Sequence, residues 1–269
     1  MLRPDGAPYV SRLSIAPVKG LALQHPDAVQ LEAHGAVGDR RFVLVDPGGA
    51  IVSITRTGAW VGLVVDHDPL AERLTIRHPD GREWSDQVVL GEPVTIDAHG
   101  LRTTSGRLVE GPWSAVLSEM AASDVRLVRY DDPGAGADVE PVTVLSDASV
   151  ARVAQQAGVD DVDPRRFRML IGVGGAVAHA EDEWQGLRML VGDALLEIGG
   201  PVPRCAAVTR HPDAGHRDLP LVKAIREYRG VRGTAIGPGV PLGVYARVIQ
   251  AGRVRVGDPI VPATVTVPT

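Results

Sequence analysis

The longest apolar run in this 269-residue chain, Met169 to Ala178, is interrupted by three glycines. This constrains the fold more than any other feature. A membrane-spanning helix needs roughly 18 apolar residues or more, and no stretch approaches that length. The chain carries 31 Gly and 21 Pro, while aromatic residues make up only 4%. Many short strands joined by tight turns have this composition.

The turn signals divide the first half into strands. Tyr9 to Ile15 alternates in polarity. Arg41 to Val45 and Ile51 to Ile54 flank Asp46-Pro47-Gly48-Gly49, which predicts a hairpin. Leu74 to Arg77 and the stretch from Arg82 flank His78-Pro79-Asp80-Gly81 and predict a second. Glu92 to Asp97 and Val125 to Arg129 read as strands, and Pro112 to Ala122 as a helix with Pro near its start. Residues 131–138 form a polar, Gly-rich loop. The expected division falls there, with domains at 1–130 and 131–269.

The second half mixes elements. Val142 to Leu145 is a predicted strand, and Ser146 is placed to cap a helix that Gly158 stops. Phe167 to Val173 is an apolar run broken by Arg168. Leu187 to Val191 and Ala194 to Ile198 flank Gly192-Asp193 as a hairpin. Asp218 is expected to cap a helix to Arg229, with Leu221, Val222, Ile225 and Tyr228 on one face. Leu242 to Gln250 and Val254 to Val261 end the pattern as strands. Helices do not alternate regularly with strands, which argues against a doubly wound α/β sheet. The expected fold is mostly β with inserted helices, an α+β arrangement of barrel or sandwich type.

With 28 basic and 33 acidic residues the net charge is −5, and a mildly acidic chain is a poor general binder of nucleic acid. The start, Met-Leu-Arg-Pro-Asp-Gly, lacks the apolar core of a signal peptide. A cytoplasmic protein with no membrane partner is expected. The single cysteine, Cys205, forms no internal disulfide and builds no iron–sulfur cluster alone.

Cys205 sits in Pro201-Val202-Pro203-Arg204-Cys205. Two prolines stiffen the approach, and the adjacent cation favours a thiolate, the form that binds soft metals or acts as a nucleophile. A small buried apolar cysteine is the other reading. Arg168 interrupts an apolar run, where an unpaired charge is costly, so a buried anion from the protein or from a ligand is expected beside it. Arg165 and Arg166 read as solvated. Gly172-Val173-Gly174-Gly175 is a weak match to a dinucleotide loop, has no βαβ unit around it, and reads as a flexible loop. His211, Asp213, His216 and Asp218 are spaced for a metal site but read better as a solvated loop, as do His179, Glu181 and Glu183. Only two lysines, Lys19 and Lys223, occur beside 26 arginines.

Several segments, in order, resemble the MOSC family with its N-terminal β-barrel domain, and are most similar to the mitochondrial amidoxime-reducing component and its bacterial relatives. They are Ile15-Ala16-Pro17-Val18-Lys19-Gly20, Gly38-Asp39-Arg40-Arg41-Phe42, Leu145-Ser146-Asp147-Ala148-Ser149, Arg166-Phe167-Arg168, Arg204-Cys205, Gly243-Val244-Tyr245 and Val256-Gly257-Asp258-Pro259. The resemblance implies an N-terminal β-barrel-like domain followed by a MOSC β-barrel domain. It implies the molybdenum cofactor, Mo-molybdopterin, with Cys205 as metal ligand and catalytic residue. The phosphate- and pterin-binding positions match Lys19, Gly20, Arg40 and Arg168, and also Asp138, Arg204 and Tyr245. Two departures stand out. Ala16 replaces a frequent aromatic, and Glu140 stands where a small hydroxyl residue is common.

The implied activity is reductive removal of oxygen from N-hydroxylated small molecules such as amidoximes, hydroxylamines and N-hydroxylated bases. Some bacterial relatives carry a C-terminal ferredoxin-like domain. Here the chain ends soon after Asp258 with no spare cysteine. Electrons are therefore expected from a separate ferredoxin, flavoprotein or cytochrome-type protein. A sulfur-transfer or cofactor-maturation role for Cys205, or storage of the cofactor without turnover, are the alternatives.

Overall fold

The computed structural model describes residues 7–263, so Met1 to Gly6, where the absence of a signal peptide was read, lie outside the described residues. The protein is mostly β. Its largest sheet runs in the order Tyr9–Leu13, Ile171–Gly174, Val142–Ser146, Gly237–Gln250, Ala194–Arg204, Arg188–Val191, Ile260–Pro262, with Arg232–Thr234 paired to Gly237–Gln250 off this path. The two ends meet. Val10 N–H donates to Asp258 O at 2.9 Å, Gly257 N–H to Val10 O at 2.7 Å and Ile260 N–H to Pro8 O at 2.9 Å. Closure removes the free sheet edges. Alternating residues of these strands fill the interior, among them Val10, Leu13, Val144, Ile171, Leu196, Ile198 and Val244.

The N-terminal part is built on a four-stranded sheet, Phe42–Val45, Arg126–Tyr130, Arg102–Glu110, Val89–Ala98, and a three-stranded meander, Val64–Asp68, Arg73–Arg77, Glu83–Gln87. Phe42–Val45 is buried throughout. Its side chains alternate between two cores: Phe42 and Leu44 pack with Trp60, Trp113 and Leu117, whereas Val43 and Val45 pack with Ile96, Val128 and Tyr130. The first strand, Tyr9–Leu13, belongs to the large sheet, and Ala28–Glu32 pairs with Gly252–Arg255. Residues near the two ends of the described range are thus hydrogen-bonded together.

Several predicted elements form as expected. The His78–Gly81 turn joins two paired strands, and Trp113–Ala121 is a helix. Ser146 caps Asp147–Ala157, its side chain accepting from Ser149 N–H, and Gly158 ends that helix in the left-handed conformation at φ 70°. Both cap serines are fully buried. Ser146→Ala should therefore cost about 1–2 kcal/mol, measured as a lower urea midpoint with an unchanged slope.

Other expectations are corrected. Ile51 to Ile54 is not a strand; only the Val45–Ile51 bridge forms, and the chain then turns to line a cavity. Phe167 to Val173 is not one run. Pro164–Phe167 is a 3₁₀ turn, Arg168 ends it at φ 53°, and the strand begins at Ile171. Gly172 to Gly174 lie in that strand rather than in a flexible loop. A Cβ on Gly174 would lie 2.5 Å from the Tyr9 ring, so the glycine admits the neighbouring strand's aromatic side chain. A strand–helix–strand unit does surround this segment, since Val142–Ser146 and Ile171–Gly174 are parallel and Asp147–Ala157 lies between them in sequence. Asp218 does not cap the last helix, which starts at Leu221 after Pro220. Arg102–Glu110, a long strand paired with Val89–Ala98, was not read from the sequence.

Candidate functional site

A cavity of about 440 Å³ lies between the two halves, within the range of roughly 300–1,000 Å³ usual for small-molecule sites. Lys19, Gly20, Arg40, Asp138, Arg168, Arg204, Cys205 and Tyr245 all line it. They come from six separate places in the chain, brought together by the closed sheet and the loops at its end.

Each is placed by local structure. Lys19 follows the Val18–Phe42 bridge, and its Nζ donates to Gly136 O at 3.0 Å and Asp138 Oδ1 at 2.5 Å. Arg40 and Arg168 both hold left-handed backbone, at φ 48° and φ 53°, a conformation uncommon and mildly costly for non-glycine residues. They meet, with Arg40 Nη2 donating to Arg168 O at 3.1 Å. The 3₁₀ turn at Pro133–Gly136 closes over Arg40 so tightly that a Cβ on Gly136 would lie 2.3 Å from Arg40 O. Only glycine fits. Cys205 stands where the long strand Ala194–Arg204 ends and the turn Ala206–Thr209 begins, and it is exposed. The reading of a small buried apolar cysteine is thereby excluded.

The charges are unevenly balanced. Arg40 is ion-paired with Asp39. Burial works against its charge, but Asp39 and Asp138 outweigh burial and raise its pKa. Desolvation works against the Asp138 carboxylate, yet Lys19, then Arg40, override it and hold its pKa at about 2. Arg168 and Arg204 differ. Among the described residues neither has a carboxylate partner. Arg168 donates to Leu21 O at 2.7 Å. Arg204 donates to Leu242 O at 2.6 Å, Phe167 O at 2.9 Å and Met169 Sδ at 2.8 Å, and lies 5.6 Å from the Phe167 ring centroid. Desolvation pulls both down to about 10, with Arg40 adding repulsion at Arg168. Guanidinium groups stay charged in proteins, so the cavity wall carries two cations without an ion-pair partner among the described residues, with Asp138 acting on both only at a distance. The anion expected beside Arg168 is not supplied by a neighbouring side chain. Tyr245, 4% exposed, has its phenol pushed up to about 12 by burial and then by Asp138.

Glu140 also lines the cavity. The sequence reading missed Arg102, whose guanidinium donates to Ala135 O at 2.7 Å and to Ala137 O and so ties the 133–138 segment to a hairpin. It also missed Asp39, whose second oxygen accepts from Ala16 N–H at 2.7 Å. The Gly-Asp-Arg triplet was the available signal for Asp39; nothing local marks Arg102. Arg166, read as solvated, is 7% exposed and held by Asp218 at 2.6 and 2.7 Å. No cluster of His, Cys, Asp and Glu able to hold a metal occurs among the described residues. His211 and His216 stack on each other, and Asp213 pairs with Arg165. Glu181 is not in a solvated loop; it is fully buried and accepts from Ser149 Oγ at 2.7 Å. No helix among the described residues is long and apolar enough to cross a membrane.

Fold and site together define a β-barrel protein with a ligand cavity that presents an exposed thiol among half-buried guanidiniums without ion-pair partners. The chain belongs to the MOSC family, in the form with an N-terminal domain: the MOSC domain matches residues 131–261 and the MOSC N-terminal beta barrel domain residues 7–104. MOSC domains are a molybdenum cofactor-binding family. No curated protein matches the chain. Among solved structures, the chain is similar to the YuaD protein from Bacillus subtilis, at 13% identity, 94% coverage of each chain and a TM-score of 0.43. It is also similar to YiiM from Geobacillus stearothermophilus, at 15% identity, 66% coverage of this chain, 73% of that chain and a TM-score of 0.34.

Proposed function

We propose that this protein is a molybdenum cofactor-dependent reductase of N-hydroxylated small molecules, supplied with electrons by a separate protein. One observation carries the reading: Arg168 and Arg204, half-buried and without carboxylate partners among the described residues, face the same cavity as the exposed Cys205 thiol. Two unmatched guanidiniums fit a phosphate-bearing, anionic ligand, because burying such charges without an anion is costly. A thiolate fits a soft metal. The residues present therefore suit a phosphorylated pterin that carries molybdenum.

In this reading Lys19, Arg40 and Arg168 hold the phosphate. Lys19 acts as a point charge and the arginines as forks. Arg204 has most of its donors committed to protein acceptors, so it contributes charge and anchors the end of the strand that carries Cys205. Cys205 ligates the metal. When bound, the cofactor supplies a two-electron centre that accepts oxygen from the substrate. The overall reaction breaks the N–O bond, consumes two electrons and two protons, and releases water with the reduced nitrogen compound. The apolar residues around the cavity, Ile54, Val202 and Val208 among them, exclude water from the bound group.

The test is molybdenum per chain, by elemental analysis of protein made in a host that synthesises the cofactor. A ratio near one is expected, falling at least tenfold in Arg168→Met, which removes the guanidinium but keeps the bulk. Near-zero molybdenum in the wild-type protein after incubation with free cofactor would overturn the reading. A sulfur adduct on Cys205 in such protein would turn it towards sulfur transfer.

A further inference from the structure

We propose that Ile236 and Leu101 form an apolar subsite at the mouth of the main cavity, one that selects substrates carrying an uncharged, aryl-sized arm. The inference rests on the reductase reading of that cavity and names the substrate class within it. Both residues line the cavity, and both are exposed, at 46% and 60%. Large apolar residues scattered singly over a surface are ordinary. These two differ because they sit in the turns of two hairpins, one from each half of the chain, that border the same cavity.

Strand register places Ile236 beside the thiol. Ile236 lies in the turn between Arg232–Thr234 and Gly237–Gln250. Pro203 pairs with Pro241 and Arg204 with Val240. Continued by one pair, that register sets Cys205 level with Gly239, and Ile236 lies three residues, about 10 Å of strand, further on. A Cβ on Gly239 would lie 2.8 Å from Pro203 Cβ, so the glycine lets this hairpin close against the approach to Cys205. The turn itself asks nothing of residue 236. Thr234 Oγ1 donates to Gly237 O at 2.6 Å, and Gly237 supplies the positive φ, at 103°. The second turn is held by Arg102, which donates to Ala135 O at 2.7 Å. Neither Ile236 nor Leu101 packs into any of the hydrophobic cores. Both turns are thus fixed by polar contacts, and the apolar side chains at their tips are left free for a molecule that enters the cavity.

The chemistry of the wall says what that molecule carries. Val202, Pro203, Ala207 and Val208, the neighbours of Cys205 in sequence, all line the cavity and are apolar. A charged arm would lose hydration there without gaining a partner. An aryl arm instead removes its own apolar surface and that of Ile236 and Leu101 from water. A substrate reduced to the bare N–O group reaches neither residue and gains nothing from them.

The experiment has two arms. The first uses the full chain without cofactor. Cys205 is the single cysteine, so its alkylation reports on this subsite with no turnover. N-phenylmaleimide and N-methylmaleimide present one electrophile on two different arms. Taken relative to glutathione, the wild-type protein should prefer the phenyl reagent about tenfold by intact mass, and Ile236→Asp should remove most of that preference. Should Ile236→Asp fail to fold, Leu101→Ser carries the comparison. The second arm uses molybdenum-loaded protein. The ratio of kcat/KM for benzamidoxime to that for hydroxylamine should fall about tenfold in Ile236→Asp at equal molybdenum per chain. Equal reaction of the two maleimides with the wild-type protein, or a preference unchanged in both variants, would overturn the proposal. Turnover with an unchanged substrate ratio would also overturn it and leave the reductase reading standing. A phenyl preference lost in Ile236→Asp, in protein that loads molybdenum but reduces neither substrate, would support the subsite and take down the reductase reading instead.

Discussion

Replacing Cys205 by serine should abolish reduction of an aromatic amidoxime by protein made in a cofactor-competent host, and should strip molybdenum from the chain. The fold gives the substitution little else to damage. Cys205 is exposed at the junction of Ala194–Arg204 and the following turn, where an isosteric change costs within about 0.5 kcal/mol. Serine keeps the size of the side chain but exchanges a soft thiolate for a hard hydroxyl that stays protonated at neutral pH, a poor ligand for molybdenum. Loss of activity with an unchanged melting temperature is the expected pair of results. Undiminished turnover would sink the proposed chemistry. Turnover is measured with an artificial electron donor, so that the separate donor protein does not limit the rate.

The largest stability effect should come from Asp218→Ala. Arg166 is 7% exposed, and Asp218 is its bidentate partner, one side-chain oxygen on each terminal nitrogen. Removing the carboxylate leaves a buried guanidinium with only Arg210 O. Breaking a buried pair typically costs about 3–5 kcal/mol, and the low end applies because the Asp218 side chain keeps 25% of its exposure. The hydrogen bonds from Arg166 lower the Asp218 pKa below its ordinary 3.8, against a smaller opposing effect of desolvation. A carboxylate depressed in the folded state stabilises fully above its unfolded pKa and loses that contribution as pH falls through the folded value. The wild-type advantage over Asp218→Ala should therefore be constant from pH 7 to about pH 5 and shrink below 3.8. Urea midpoints at pH 7 and pH 3 measure it. A gap unchanged at pH 3 would show that the pair is not what stabilises this corner.

Much of the local structure was legible along the chain, for reasons that act within a few residues. The Ser146 cap, the Gly158 stop, the His78–Gly81 turn and the Gly192-Asp193 turn each follow from backbone chemistry at one spot. Asp218 had the right residue type and spacing for a cap, but the buried Arg166, 52 residues earlier, claims its carboxylate. Pro220 then precedes the first helical residue instead. Ile51 to Ile54 has strand composition, yet it bends away after one bridge to form cavity wall.

The sequence by itself determined the class of fold and the chemical types available to the site. Gly and Pro at short intervals, alternating apolar residues, one cysteine and an arginine inside an apolar run all act through local rules of conformation and solvation. Tertiary structure alone decided how those residues meet. Sheet closure joins Val10 to Asp258, and the cavity gathers Lys19, Arg40, Asp138, Arg168, Cys205 and Tyr245 from both halves. It also decided which arginines are neutralised. Arg40 finds Asp39 next to it in sequence, and Arg166 finds Asp218 across the fold, whereas Arg168, Arg204 and Arg210 find backbone carbonyls, a thioether and the Phe167 ring but no carboxylate partner among the described residues. Charge balance in a buried site depends on distances between residues remote in sequence, because Coulomb interaction and desolvation follow separation in space rather than along the chain.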